Sequence, residues 1–250
     1  MESCSLNERK FLEQYKESNL EKARNWNALQ INRVYPAGRR VDSSNLNPCK
    51  PWNMGFQISA VNYQTPDKER DINDGFFSLN GNSGYVMKPD CILGKKAVKS
   101  AGSTGQTNSD DDPRSVQIKI ISCQWLPKAE SSNDIPDPFV KVEIFLANGQ
   151  VCSDQTKSSQ GNGFGPHWED EDFEFVVDNP FLSIVRFSVW DSNVFTSPKM
   201  IGQRSVPFSA ISPGYRHIEL WSSDGNPLGK GSIFVQVIKE KKEGRRFLCF

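Results

Sequence analysis

The rhythm of apolar and polar positions changes midway along this chain of 250 residues. In the first hundred residues it is mixed. Phe11, Leu12, Tyr15, Leu20 and Ala23 recur at roughly helical spacing, which predicts a helix within residues 7–23. Residues 28–35 alternate and stop at Pro36, which predicts a strand ending in a turn. Residues 56–63 read as a second strand and residues 84–88 as a short third. Strands separated by helix-length stretches predict an α/β unit. Beyond residue 114 the period falls to two. Alternating runs at 116–121, 139–146, 173–177, 184–190, 202–206, 217–221 and 233–238 are separated by turn residues. About seven short strands of this kind predict an all-β unit, an antiparallel β-sandwich. Asn148-Gly149 and Asp224-Gly225 are its strongest hairpin signals.

Residues 94–113 hold almost nothing that packs; Gly, Ser, Thr and charge dominate, which reads as a flexible linker. The expected organisation is a first domain at 1–95, a linker at 96–113, a second domain at 114–240 and a basic tail at 241–250. Charge follows that division: residues 1–95 carry 13 basic and 11 acidic side chains, residues 113–240 carry 11 and 15. The whole chain has zero formal net charge, which argues against a general nucleic-acid binder. No apolar run approaches the ~18 residues of a membrane span. The six cysteines are scattered, with no C-x-x-C pair and no metal-ligand spacing, so a reducing, cytoplasmic setting is expected. Histidine excludes most. Only His167 and His217 exist, so a mechanism needing two imidazoles in the N-terminal half has no residues to run on.

Four blocks in the first domain carry a resemblance. They are Arg33-Val-Tyr-Pro-Ala-Gly-Arg-Arg-Val-Asp-Ser-Ser-Asn45, Pro51-Trp-Asn-Met-Gly-Phe-Gln57, Val61-Asn-Tyr-Gln-Thr65 and Gly81-Asn-Ser-Gly-Tyr-Val-Met-Lys-Pro-Asp90. In this order they resemble the Y region of the phosphoinositide-specific phospholipases C. The resemblance implies the second half of a (β/α)8 barrel, whose sites lie at the C-terminal ends of strands. It implies that Arg33 grips an inositol ring phosphate and Tyr35 stacks on the ring. With a one-residue gap, it makes Ser5 a phosphate-contacting hydroxyl. The chemistry agrees: a guanidinium offers a planar fork to two phosphate oxygens, and a hydroxyl donates to one. Taken singly, an Arg at a strand end is more commonly an ion-pair partner, and a Tyr before Pro more commonly packs. Residues 42–45 (Asp-Ser-Ser-Asn) read either as a helix cap or as site lining, with the structural role preferred. Where the family commonly has an exposed Trp at the membrane-facing rim, this chain has Arg39; Arg39 and Arg40 are positioned to meet anionic headgroups.

By the same resemblance, the reacting groups belong to an X half: one His as acid or base, a second that stabilises the transition state, and Ca2+ held by Asn, Glu and Asp. There the inositol 2-hydroxyl attacks phosphorus and releases diacylglycerol. Half a barrel leaves strand edges and an apolar interior open, so an X half is expected in cis or in trans.

The second domain resembles a C2 domain, on Arg114-Ser-Val-Gln-Ile-Lys-Ile-Ile-Ser122, Ile135-Pro-Asp-Pro-Phe-Val-Lys-Val-Glu-Ile144, Gly163-Phe-Gly-Pro-His-Trp168 and Ile201-Gly-Gln203. The resemblance implies a Ca2+ site built from Ile135, Asp137, Asn162, Asp191 and Asn193. Only two of these are carboxylates, so the site is expected to be weak or absent. The other reading is Asp residues that hold turns. The tail pairs basic residues with Phe247, Leu248 and Phe250, which suits either a bilayer contact or a frayed terminus.

The expected function is therefore phosphoinositide phospholipase C action on phosphatidylinositol 4,5-bisphosphate. This chain would supply the headgroup grip and the C2 module and be silent without an X half. The alternative is a non-catalytic phosphoinositide- or membrane-binding scaffold. Expected partners are a phosphoinositide lipid, a membrane surface and the X half, with peripheral membrane association.

Overall fold

A computed structural model describes residues 3–93, 114–128, 135–192 and 197–241. The predicted linker and nearly all of the basic tail lie outside the described residues.

The N-terminal part is a three-stranded parallel sheet, β1 (Ser3–Asn7), β2 (Ile31–Tyr35) and β3 (Ile58–Ser59), in that order. Its connections are helical, as parallel pairing requires. Between β1 and β2 run α1 (Glu8–Gln14) and α2 (Leu20–Leu29), with a 3-10 turn at Glu17–Asn19. The expected single helix is thus two. The Asn7 side chain caps α1 by accepting from the Lys10 N–H at 2.9 Å. Helix α2 runs through Ala28 and Leu29, so the strand expected from residue 28 begins at Ile31. Then come α3 (Cys49–Asn53), α4 (Lys68–Phe77), the kinked turn α5 (Leu79–Asn82) and α6 (Asp90–Leu93).

The helices cover one face of the sheet. Phe11, Ala23, Val34, Leu46, Met54 and Phe56 form that core, with Phe11, Tyr15 and Phe56 in mutual ring contact at 4.8 to 5.5 Å. Asn27 bridges helix and sheet: its amide donates to the Met54 carbonyl at 2.7 Å and its oxygen accepts from the Asn32 amide. Residues 84–88 do not form a strand. Tyr85 and Met87 are exposed, and the segment is fastened by the Lys88 ammonium, which donates to the Asn27 and Gly55 carbonyls at 3.0 and 2.6 Å. A short apolar run becomes a strand only beside a ladder partner, and the described residues offer it none.

The C-terminal part has eight strands: β4 (Arg114–Gln124), β5 (Pro138–Phe145), β6 (Val151–Gln155), β7 (Asp172–Val177), β8 (Ile184–Asp191), β9 (Lys199–Pro207), β10 (Gly214–Trp221) and β11 (Pro227–Lys241). All pair antiparallel, in the order β6-β5-β8-β9-β10-β11-β4-β7. One bridge, Trp221 to Gln203, joins β9 to β10, so the ladder divides there into two layers of four. Inward residues of both layers, among them Ile118, Ile120, Val142, Phe187, Val189, Leu220 and Val235, make the sandwich core. Both expected hairpins occur. Leu146 N–H donates to Gln150 O at 2.9 Å around Gly149, and Ser222 N–H to Asn226 O at 2.7 Å around Gly225. Both glycines have positive φ, 88° and 82°.

The two parts are docked. Trp52, Ile72 and Phe76 from the first pack with Phe145 and Ile184 from the second. Gly75 of α4 lies so close to β9 that an added Cβ would sit 2.6 Å from the Ser205 Cβ. Inside this interface Arg186 pairs with Asp71 at 2.8 Å and with Glu143 at 2.7 Å, all three buried. Burial pushes Asp71 up to about 6. Burial also acts on Glu143, but Arg186 and Lys141 together hold it below the ordinary carboxylate range.

Candidate functional site

Alternation on β2 decides what the sheet offers on its open face. Asn32 and Val34 point into the helix layer and are fully buried, which turns Arg33 and Tyr35 the other way. In the parallel register Ser5 lies opposite Arg33 and Asn7 opposite Tyr35. The three residues singled out in the sequence therefore meet. Arg33 Nη1 donates to Ser5 Oγ at 3.1 Å, and the guanidinium carbon stands 4.9 Å from the centre of the Tyr35 ring. Tyr35 is the last residue of β2, just before Pro36, while Arg33 and Ser5 lie midway along β2 and β1. Among the described residues no carboxylate pairs with Arg33. This is an exposed cation with spare donors, a hydroxyl beside it and an aromatic face below: chemistry suited to an anionic polyol.

The loop after β2 is braced from behind. Glu8, at the first turn of α1, accepts from Arg40 Nε at 2.8 Å, Arg40 Nη2 at 2.7 Å and the Ala37 N–H at 3.2 Å. The Arg40 hydrogen bond is the main cause that holds the Glu8 carboxyl below its usual range, against the opposing effect of burial. Arg40 also donates to Ser44 Oγ. It is thus a structural partner, unlike the expectation that it faces headgroups; Arg39 remains exposed. Residues 42–45 cap no helix. Asp42 Oδ1 accepts from Ser44 N–H at 3.1 Å and Ser44 Oγ at 2.9 Å, a turn held by its own side chain. Buried Asn45 links that turn to Asn62 and to Asp67, the N-cap of α4. No local pattern signals the Glu8–Arg40 pair or this Asn45 hub, because their partners lie 17 to 32 residues apart.

At one end of the sandwich Asp137, Asn162 and Asp191 come together. Asp191 lies opposite Pro138 at the end of β8, and its Oδ1 accepts the Asp137 N–H at 2.9 Å. Asp137 Oδ1 accepts the Gly161 N–H at 2.5 Å. The Asn162 side chain closes on Gly165, accepting its N–H at 3.2 Å and donating to its carbonyl at 3.3 Å. Ile135 is exposed at the same end, and Asn193 lies outside the described residues. Ca2+ takes six to eight oxygens, several of them charged. The described residues bring two carboxylates here, each with one oxygen spent on a backbone N–H. No group of three metal-ligating side chains occurs among them. Among the described residues these side chains hold turns and present fewer charged oxygens than a strong calcium site uses. His167 forms a bridge with Ser122 and His217 stacks on Phe234 at 4.7 Å; both belong to the sandwich.

Comparison with known proteins agrees with this division. The family described as phosphatidylinositol-specific phospholipase C, Y domain, matches residues 1–91, and the C2 domain family matches residues 114–222. The chain is 40% identical over 84% of its length to 1-phosphatidylinositol 4,5-bisphosphate phosphodiesterase delta-4 of Xenopus laevis, covering 28% of that protein. It is 38% identical over 97% of its length to human inactive phospholipase C-like protein 2, covering 22% of it. The crystal structure of PLC21 from S. officinalis superposes with a TM-score of 0.82 at 34% identity, covering 98% of this chain and 30% of that one. The chain thus spans less than a third of these relatives. With its parallel half-barrel sheet and C2 sandwich, it belongs to the phosphoinositide-specific phospholipase C family, matching the C-terminal part of that architecture.

Proposed function

We propose that this chain supplies the headgroup-gripping half of a phosphoinositide phospholipase C site, for phosphatidylinositol 4,5-bisphosphate, together with a membrane-facing C2 module. The observation that carries the reading is the meeting of Ser5, Arg33 and Tyr35 on the open face of the sheet. In this reading Arg33 takes a ring phosphate through its free fork, Ser5 Oγ donates to the same phosphate and Tyr35 lies against the apolar side of the inositol ring. The acid–base imidazoles and the ion that activates the 2-hydroxyl come from an X half, in cis or in trans. Residues 1–95 contain no histidine to replace them. The work takes place at the cytoplasmic face of a membrane, releasing inositol trisphosphate and diacylglycerol.

A second reading has a specific observation in its favour: the similarity to inactive phospholipase C-like protein 2 extends over 97% of the chain. A scaffold would keep the same grip and bind phosphoinositide without turnover. One assay separates the readings: release of inositol trisphosphate from mixed vesicles, with and without an added X half. The enzymatic reading expects no turnover by the chain alone and turnover on complementation, lost in Arg33→Ala. Strong turnover by the chain alone contradicts it, and binding without turnover on complementation favours the scaffold.

A further inference from the structure

Where the two parts meet, residues of β3, α4, the 84–89 segment, β9 and β10 line a cavity of about 1170 Å3. Buried Phe56, Phe76, Ile92 and Leu182 give it apolar walls, and exposed Tyr85 and Met87 stand at its mouth. Its unpaired buried polar groups can all donate. Trp52 Nε1, Ser59 Oγ and Trp221 Nε1 find no partner among the described residues, and Trp52 is only 5% exposed. A buried donor left without an acceptor costs about 1–3 kcal/mol, so three on one cavity call for an explanation.

A cation lines the same cavity. Arg204 of β9 is half-buried, with its guanidinium carbon 4.2 Å from the centre of the Trp221 ring. Among the described residues it makes no ion pair. Burial pulls Arg204 below its ordinary range, with the charge of Glu219 acting the other way. The other charged groups on the cavity are already engaged. Asp74 accepts the Tyr63 hydroxyl at 2.8 Å and faces Arg70 Nε at 3.8 Å, and the Lys88 ammonium is spent on two carbonyls. The cavity therefore offers a guanidinium and indole N–H groups, with apolar walls around them. An anionic head answers the first and a hydrocarbon chain the second. The space exceeds the ~300–1,000 Å3 usual for compact ligands, which leaves length for a chain. A bare inositol phosphate has no surface to set against such walls.

We propose that the cavity between the two parts binds a monoacyl lipid with an anionic head, which Arg204 and the Trp221 N–H hold while the chain lies along Phe56, Phe76, Ile92 and Leu182. This site is separate from Arg33 and goes beyond the proposed headgroup grip, on which it does not depend.

The test is calorimetric titration of the full chain with oleate and with oleoyl lysophosphatidic acid, each below its micelle-forming concentration. Monooleoylglycerol is the uncharged control. Saturable binding of at least one acid is expected, and which of them binds tells a carboxylate head from a phosphate ester. Arg204→Gln is expected to weaken binding about tenfold or more, in line with loss of a charge-assisted contact. Arg33→Ala is expected to leave it unchanged, so failure of the headgroup grip and failure of this site are distinguishable. Dibromostearate should quench tryptophan fluorescence in the wild type. Trp52→Phe/Trp221→Phe should remove most of that quenching, whereas Trp26→Phe and Trp125→Phe should not. If the double variant does not fold, the Arg204→Gln titration decides alone. The proposal is overturned by no saturable binding of either acid, by an uncharged control bound as tightly, or by undiminished binding in Arg204→Gln. It is equally overturned by a loss in Arg33→Ala, or by quenching that survives in a folded double variant or disappears in Trp26→Phe.

Discussion

Arg33 and Tyr35 are two residues apart on a strand, so the pleat alone puts them on one face. Ser5 joins them through the parallel register. The ring beneath the guanidinium is a modest contribution in an exposed setting, of order 0.5–1 kcal/mol. Tyr35→Leu should therefore weaken inositol phosphate binding by about two- to fivefold, measured by calorimetric titration, with an unchanged circular dichroism spectrum. Glu8 has a different part. Its carboxyl is held below its usual range by Arg40, so the folded chain releases its proton more readily than the unfolded chain does. The stabilisation from this pair is fully present above the ordinary glutamate range and is lost as pH falls through the lowered value. Glu8→Gln should flatten the acid side of the stability curve in denaturant titrations below about pH 4.5. A variant that keeps the wild-type acid limb would show that the Arg40 contact carries no weight.

At the scale of elements, α4 is held to β9 by the absence of a side chain. Gly75→Ala would place a methyl 2.7 Å from the Ser205 carbonyl oxygen, a backbone atom with no freedom to retreat. Overpacking of this kind costs about 1–3 kcal/mol, to be read as a lowered urea midpoint. Which elements the sequence disclosed follows from how each is stabilised. The sandwich strands alternate because one face is core and the other is not, so seven of the eight were legible. Strand β6, Val-Cys-Ser-Asp-Gln, is an outer strand with one buried residue, Cys152, and offers little pattern to read. The run 84–88 is also short and apolar, yet Lys88 ties it down without a ladder. Local pattern records which face of a segment is apolar; it does not record whether a partner strand is present. The meeting of Arg33 and Tyr35 on one face was legible because motif and pleat coincide. The Glu8 brace and the Asn45 hub join distant segments and were not.

For the whole molecule, the junction between the two parts rests on a buried guanidinium between two buried carboxylates. Arg186→Leu would leave buried Asp71 without its ion-pair partner and Glu143 with Lys141 alone, a loss of about 3–5 kcal/mol at neutral pH. Asp71 is already pushed up to about 6, so at pH 5 it takes up a proton and the cost should shrink. Chemical denaturation of both proteins at the two pH values checks this; an equal loss at both would mean that Asp71 does not titrate in the interface. This triad spans 115 residues of sequence, and nothing in the separate readings of the two halves announced it. In the proposed reading these docked halves carry a headgroup cradle that works without the reacting groups. The most direct measurement is calorimetric titration of inositol 1,4,5-trisphosphate into the chain alone, wild type against Arg33→Ala. The account predicts saturable binding at one site, weakened about tenfold or more by the substitution, in line with loss of a charge-assisted contact. Equal affinity in the two proteins, or no saturable binding by wild type, would contradict it.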